Sequence, residues 1–110
     1  MTFGPRAKSA REARMRELRI SRRADNDLVL ISQYTITEFG RDQARKYLGQ
    51  LKACFASLLD NPHLGQSAEQ VVPQLRRIRQ GAHVIFYIPA QDGILIVRVL
   101  HQSMDFERHL

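Results

Sequence analysis

Arginine and histidine gather in the last third of this 110-residue chain, where Arg76, Arg77, Arg79, His83, Arg98 and His101 fall between Leu75 and Asp105. A guanidinium holds a carboxylate or phosphate through paired donors, and an imidazole moves a proton near neutral pH. The segment therefore carries either a binding surface or a catalytic one. Arg76, Arg77, Arg79, Arg98 and His101 are the candidate contact residues. The same arginines also suit the solvated side of a sheet, His101 suits a hydrogen bond to backbone or to Asp105, and His83 suits an outward cover over a neighbour. Which description holds depends on the strands that carry them: Arg77 and Arg79 share parity on one strand, and Arg98 lies on a neighbour.

Those strands are legible. His83–Ile88 and Ile94–Leu100 are apolar, β-branched and aromatic runs flanking the turn Pro89-Ala90-Gln91-Asp92-Gly93, and Gln80-Gly81 and Asp92-Gly93 are hairpin signals. Three strands are expected at Leu75–Arg79, Ala82–Ile88 and Ile94–Leu100. Upstream, Leu18-Arg19-Ile20 alternates as a short strand, and Ser21 supplies a helix N-cap. Ala24, Leu28, Ile31, Thr35 and Phe39 form a helical stripe, with Asp25 and Asp27 placed in the first turns to suit the helix dipole. Gly40 ends this helix. A second stripe, Ala44, Tyr47, Leu48, Leu51, Phe55, Leu58 and Leu59, runs to Asn61-Pro62. The near-absent linker makes the two helices an antiparallel hairpin. Residues 61–74 read as a loop, and Ser103–Leu110 as a short closing turn or helix.

The expected architecture is a two-layer α+β domain in the order β-α-α-β-β-β, a helical hairpin packed on an antiparallel sheet. The hairpin should cover one face and leave the other partly open.

Composition narrows the function. One cysteine, Cys54, excludes an internal disulfide and a thiolate zinc site. It suits a small core residue, and no cofactor is expected. No apolar run reaches the length of a membrane span, so a cytoplasmic protein is the expectation. Half of the formal charge of +6 lies in residues 1–14, where Arg6, Lys8, Arg11 and Arg14 face only Glu12. Residues 1–14 read as a basic extension and residues 15–110 as the folded domain. The remaining charge is too diffuse for a dedicated nucleic-acid face. Phe86 and Tyr87 stand at successive positions, so at most one can offer a base-stacking platform, and autonomous nucleic-acid binding is not expected.

From Leu18 to Leu110 the chain resembles the ParE toxins of the ParE/RelE superfamily of type II toxin–antitoxin systems. The resemblance rests on Ala24, Asp27, Leu28, Ile31, Tyr34, Thr35, Phe39, Gly40, Gln43, Ala44 and Tyr47 in the helices. It continues through Asn61-Pro62-x-Leu64-Gly65, Gly81-x-His83-x-Ile85-Phe86-Tyr87 and Ile96-x-Arg98-Val99-Leu100-His101-x-Ser103-Met104-Asp105. Phe39-Gly40 replaces a frequent Trp-Gly, and either pair suits a buried aromatic. The strand opening Leu75-Arg76-Arg77-Ile78 departs from the family's usual Gly-Tyr-Arg or Gly-Leu-Arg. The resemblance implies a non-enzymatic toxin that inhibits DNA gyrase and is neutralised by a ParD-like antitoxin. The rival within the superfamily is a ribosome-dependent mRNA endonuclease of the RelE/YoeB type. In that case Arg77 would clamp phosphate and His101 would act as acid or base. Gln102 stands where those nucleases place a tyrosine, and no tyrosine follows in the tail.

Overall fold

The computed structural model describes residues 16–110, so the basic extension of residues 1–14 lies outside the described residues. Its elements are β1 (Glu17–Ile20), α1 (Arg22–Phe39), α2 (Arg41–Asp60), β2 (Gln66–Ser67), β3 (Arg76–Gln80), β4 (His83–Ala90), β5 (Gly93–His101) and α3 (Phe106–His109). They build the expected α+β domain, a helical hairpin on a five-stranded sheet ordered β1-β5-β4-β3-β2. Strand β1 pairs parallel with β5, and every other pairing is antiparallel. The expected three-strand ladder thus gains an edge on each side.

Local chemistry sets the helix limits. The Ser21 hydroxyl accepts the Ala24 N–H at 3.0 Å, as an N-cap should, and donates to the Val97 carbonyl at 2.7 Å. Gly40, at φ 90°, is the single residue between α1 and α2. Its N–H closes α1 on the Ile36 carbonyl, and its own carbonyl opens α2 by accepting the Ala44 N–H. A chain reversal through one residue at positive φ favours glycine.

The main core lies between the hairpin and the sheet. Leu28 and Ile31 of α1 meet Leu51, Phe55 and Leu58 of α2 over Ile85, Tyr87, Ile94, Ile96 and Val99. The other face of the sheet is more covered than expected. Val84, Phe86 and Leu100 form a second core with Ala68 and Leu75, and Val71, Val72, Met104, Phe106 and Leu110 pack against it. The reason is visible in the strands themselves: β4 and β5 are nearly continuous apolar runs, the pattern of strands buried on both faces. The loop before β3 and the chain's last turn supply the cover, and Phe106 meets Phe86 with ring centroids 5.0 Å apart.

One irregularity decides which side chains meet. The β4–β5 register shifts at Phe86/Tyr87: Tyr87 pairs with Ile96, whereas Phe86 pairs with Arg98, leaving Val97 as the extra residue of a bulge. Ile94 and Ile96 face the helices before the bulge, and Val99 does so after it. His101, two residues beyond Val99, is thereby carried onto the helix face.

Candidate functional site

Beyond Ile20, β5 has no strand on its β1 side, and the start of α1 satisfies that edge instead. Ser21 N–H donates to the Ile96 carbonyl at 2.9 Å, and Val99 N–H donates to Asp27 Oδ2 at 2.9 Å. Asp27 also receives Arg98, whose Nε and Nη2 reach its two carboxylate oxygens at 2.8 Å each. Both side chains are sequestered, at 11% and 9% exposure for Arg98 and Asp27. The hydrogen bond to Asp27 raises the Arg98 pKa further. Arg98 Nη1 continues to the His109 carbonyl at the end of α3, which also accepts Arg23. Asp27 is therefore the buried half of an ion pair rather than a dipole-facing surface charge, and Arg98 is engaged inside the fold.

The remaining arginines separate as well. Arg76 shares the parity of Ile78 and points its guanidinium into the 61–65 loop, donating to the carbonyls of Gly65 (2.5 Å) and His63 (3.2 Å). Arg77 and Arg79 share the opposite face, as expected. They line a cavity of about 510 Å³ with Leu64, Gln66, Gln102 and Phe106. Arg79 Nε donates to the Gly81 carbonyl, and its side chain is exposed. Of the four arginines, only this pair forms a common cationic surface.

His101 lies on the helix side. The Ser103 N–H donates to its Nδ1 at 3.1 Å and the Ser103 hydroxyl lies 2.7 Å away, which leaves the proton of the neutral ring on Nε2. Its partner is thus Ser103 rather than Asp105. His83 pairs across the strands with His101, and the two rings stand edge to face with centroids 5.5 Å apart. The His83 Nδ1 is 2.6 Å from the Tyr47 hydroxyl, which also accepts the Ala82 N–H and reaches the Gln80 carbonyl at 3.1 Å. Burial pushes the Tyr47 pKa up. Burial first, and His101 second, push the His83 pKa below its ordinary value, with Asp27 opposing. One proton lies between His83 Nδ1 and the Tyr47 oxygen, and the tautomer of His83 decides which of them donates. Gly81 makes this contact possible: a Cβ there would lie 2.7 Å from the Tyr47 ring.

Tyr34, Phe39, Tyr47, His83 and His101 line one cavity of about 490 Å³. A second, of about 440 Å³, shares Tyr34, His83 and His101 with it and extends along Leu30, Met104 and His109. The two form a groove between α1 and the ends of β4 and β5. Its rim is apolar and open to solvent: Leu30 is 56%, Tyr34 63% and Phe39 66% exposed. Phe39, expected as a buried aromatic, is exposed because it is the last residue of α1 and lies beyond the core contacts of that helix. An apolar groove between the helical hairpin and the sheet edge is what the sequence leads one to expect, with His101 among its contacts; the rim residues Leu30, Tyr34 and Phe39 were not read from it. The available signal was that Leu30 and Tyr34 are apolar positions lying off the buried stripe.

The separation of faces bears on catalysis. Arg77 looks into the cavity on the tail side of the sheet and His101 into the groove on the helix side, so the pair cannot act on a single phosphate. Among the described residues, no group of three side chains is arranged to hold a metal ion. Cys54 is buried, and burial raises its thiol pKa, away from nucleophilic character. No helix among the described residues is long and apolar enough to cross a membrane.

A two-layer α+β domain with an open aromatic groove along its first helix is the class of protein that the geometry defines. The sequence profile of the ParE toxin of type II toxin-antitoxin systems, parDE, matches residues 18–106. Toxin ParE1 of Caulobacter vibrioides is 38% identical over 96 residues, covering 87% of this chain and 99% of that protein. Toxin ParE of Escherichia coli is 33% identical over 88 residues, covering 79% and 85% respectively. Among solved structures, a chain of the chromosomal ParDE TA system from P. aeruginosa has the same fold. Its TM-score is 0.67 at 22% identity, over 79% of this chain and 96% of that one. The chain belongs to the ParE toxin family of type II toxin–antitoxin systems.

Proposed function

We propose that this toxin inhibits DNA gyrase, acts by binding rather than by catalysis, and is neutralised in the cytoplasm by a ParD-like antitoxin. The observation that carries the binding reading is the groove along α1, where Leu30, Tyr34 and Phe39 expose apolar surface over two adjoining cavities. An amphipathic helix laid into such a groove buries its apolar face. The P. aeruginosa chain of the same fold belongs to a ParDE toxin–antitoxin system, which supports an antitoxin partner here. The excess of positive charge on the toxin favours an acidic segment. Arg77 and Arg79 lie on the opposite face and stay available when the groove is filled, so they are the proposed contacts with the target.

The test is a gyrase supercoiling and DNA-cleavage assay with the folded toxin, with and without the antitoxin. Lost supercoiling or trapped double-strand breaks, reversed by the antitoxin, is the expected result. Unaffected gyrase would refute the target and direct attention to ribosome-bound mRNA.

A further inference from the structure

Three of the four histidines of the chain, His83, His101 and His109, line the groove along α1. The other ionisable side chains that face it are Asp27 and Tyr34 from α1, Tyr47 from α2 and Arg98 from β5; β3 contributes none to the lining. Asp27 and Arg98 are consumed by their bidentate pair. The histidines are therefore the side chains of the groove left to carry a variable charge.

The His83 pocket accommodates both protonation states. When His83 Nδ1 is bare, the Tyr47 hydroxyl donates to it. When Nδ1 carries a proton, the same hydroxyl accepts it and turns its own proton to the Gln80 carbonyl, already 3.1 Å away. No buried donor or acceptor is orphaned by the change. Two protons on rings 5.5 Å apart repel each other, so the pair favours a single charge unless an anion arrives. An acidic side chain is the group that relieves this repulsion.

Building on the proposed seating of the antitoxin in this groove, we propose that His83 and His101 form a proton-coupled carboxylate site. It receives one Asp or Glu of the amphipathic segment and takes up a proton as the segment docks. The sign follows from linkage. A carboxylate raises the imidazole pKa in the complex above that in the free toxin. Affinity is then gained as pH falls through the bound pKa and lost as pH rises through it. A rise of one to one and a half pKa units in the complex corresponds to roughly tenfold tighter binding at pH 6 than at pH 8.

The experiment is calorimetric titration of the full chain with the purified ParD-like antitoxin at pH 6, 7 and 8 and fixed ionic strength. Repetition in two buffers of different ionisation enthalpy counts the proton. The wild type should show the tenfold gradient and net proton uptake at pH 7. H101Q, an exposed position bonded only to Ser103, should lose most of the gradient, and H83Q/H101Q all of it. H63Q, outside the groove, should retain it. A wild-type gradient below twofold, or one surviving in H101Q and in the double variant, overturns the proposal. L30E/Y34A tests the seating separately. Loss of binding at every pH supports the groove, and unchanged binding overturns both the seating and the proton coupling that depends on it.

Discussion

Replacing Arg98 by methionine would leave the Asp27 carboxylate inside the fold with the Val99 N–H as its remaining donor. Wild-type Asp27 is 9% exposed and accepts two Arg98 nitrogens at 2.8 Å in addition to that amide at 2.9 Å. Removing one partner of such a pair strands a charge in low dielectric, at a cost of about 3–5 kcal/mol. That is a large fraction of the roughly 5–15 kcal/mol that holds a domain of this size together. The double variant D27N/R98M separates stranded charge from lost packing. Asparagine keeps an acceptor for Val99 N–H and removes the charge, so the double variant should be more stable than R98M alone. Urea denaturation of the wild type, D27N, R98M and D27N/R98M at pH 7 gives the full cycle. An R98M cost below about 1 kcal/mol, or a double variant less stable than R98M, would refute the view that Asp27 and Arg98 act as a buried ionic unit.

Three other perturbations follow from the geometry. G93A drives a Cβ into the Glu17 carbonyl oxygen. It should detach β1, read as lost hydrogen-exchange protection at Glu17 and Ser21, whose N–H groups bond the Asp92 and Ile96 carbonyls. G40A meets no atom within 4 Å, but the backbone there, at φ 90° and ψ 169°, lies in a region essentially reserved for glycine, so thermal denaturation should report a loss of about 1–3 kcal/mol. R77A/R79A should leave stability within about 1 kcal/mol of wild type while weakening gyrase inhibition and its salt dependence; undiminished inhibition would remove the arginine pair from the target surface.

Much of the fold was legible because its signals are local. Ser21, Gly40 and Asn61-Pro62 bound the helices where expected, and the two glycine turns fix the hairpins. The misreadings are long-range. Asp27 and Arg98 lie 71 residues apart, and nothing near Asp27 announces its partner. The hint was its place on the buried stripe beside Ala24, Leu28 and Ile31, where a charge needs a counter-charge. The Val97 bulge is one residue long, yet it sends His101 to the helix face and away from Arg77. Strict alternation along β5 would have put the two histidines of the groove on different sides. The covered second face was foreshadowed by unbroken apolar runs in β4 and β5.

The parallel pairing of β1 with β5 also orders events during synthesis. The N–H groups of Glu17 and Ser21 find their acceptors only in Asp92 and Ile96, and Leu18 and Ile20 lie opposite Ile94 and Ile96. The helical hairpin is therefore translated long before the strand that completes its sheet exists. His83 and His101, which form the floor of the groove, emerge late as well. Loop-closing contacts of this span form after local ones, so a ribosome-bound fragment ending before β5 presents α1 without the surface that the antitoxin is proposed to grip. On the proposed seating, neutralisation would be a post-translational encounter between finished chains.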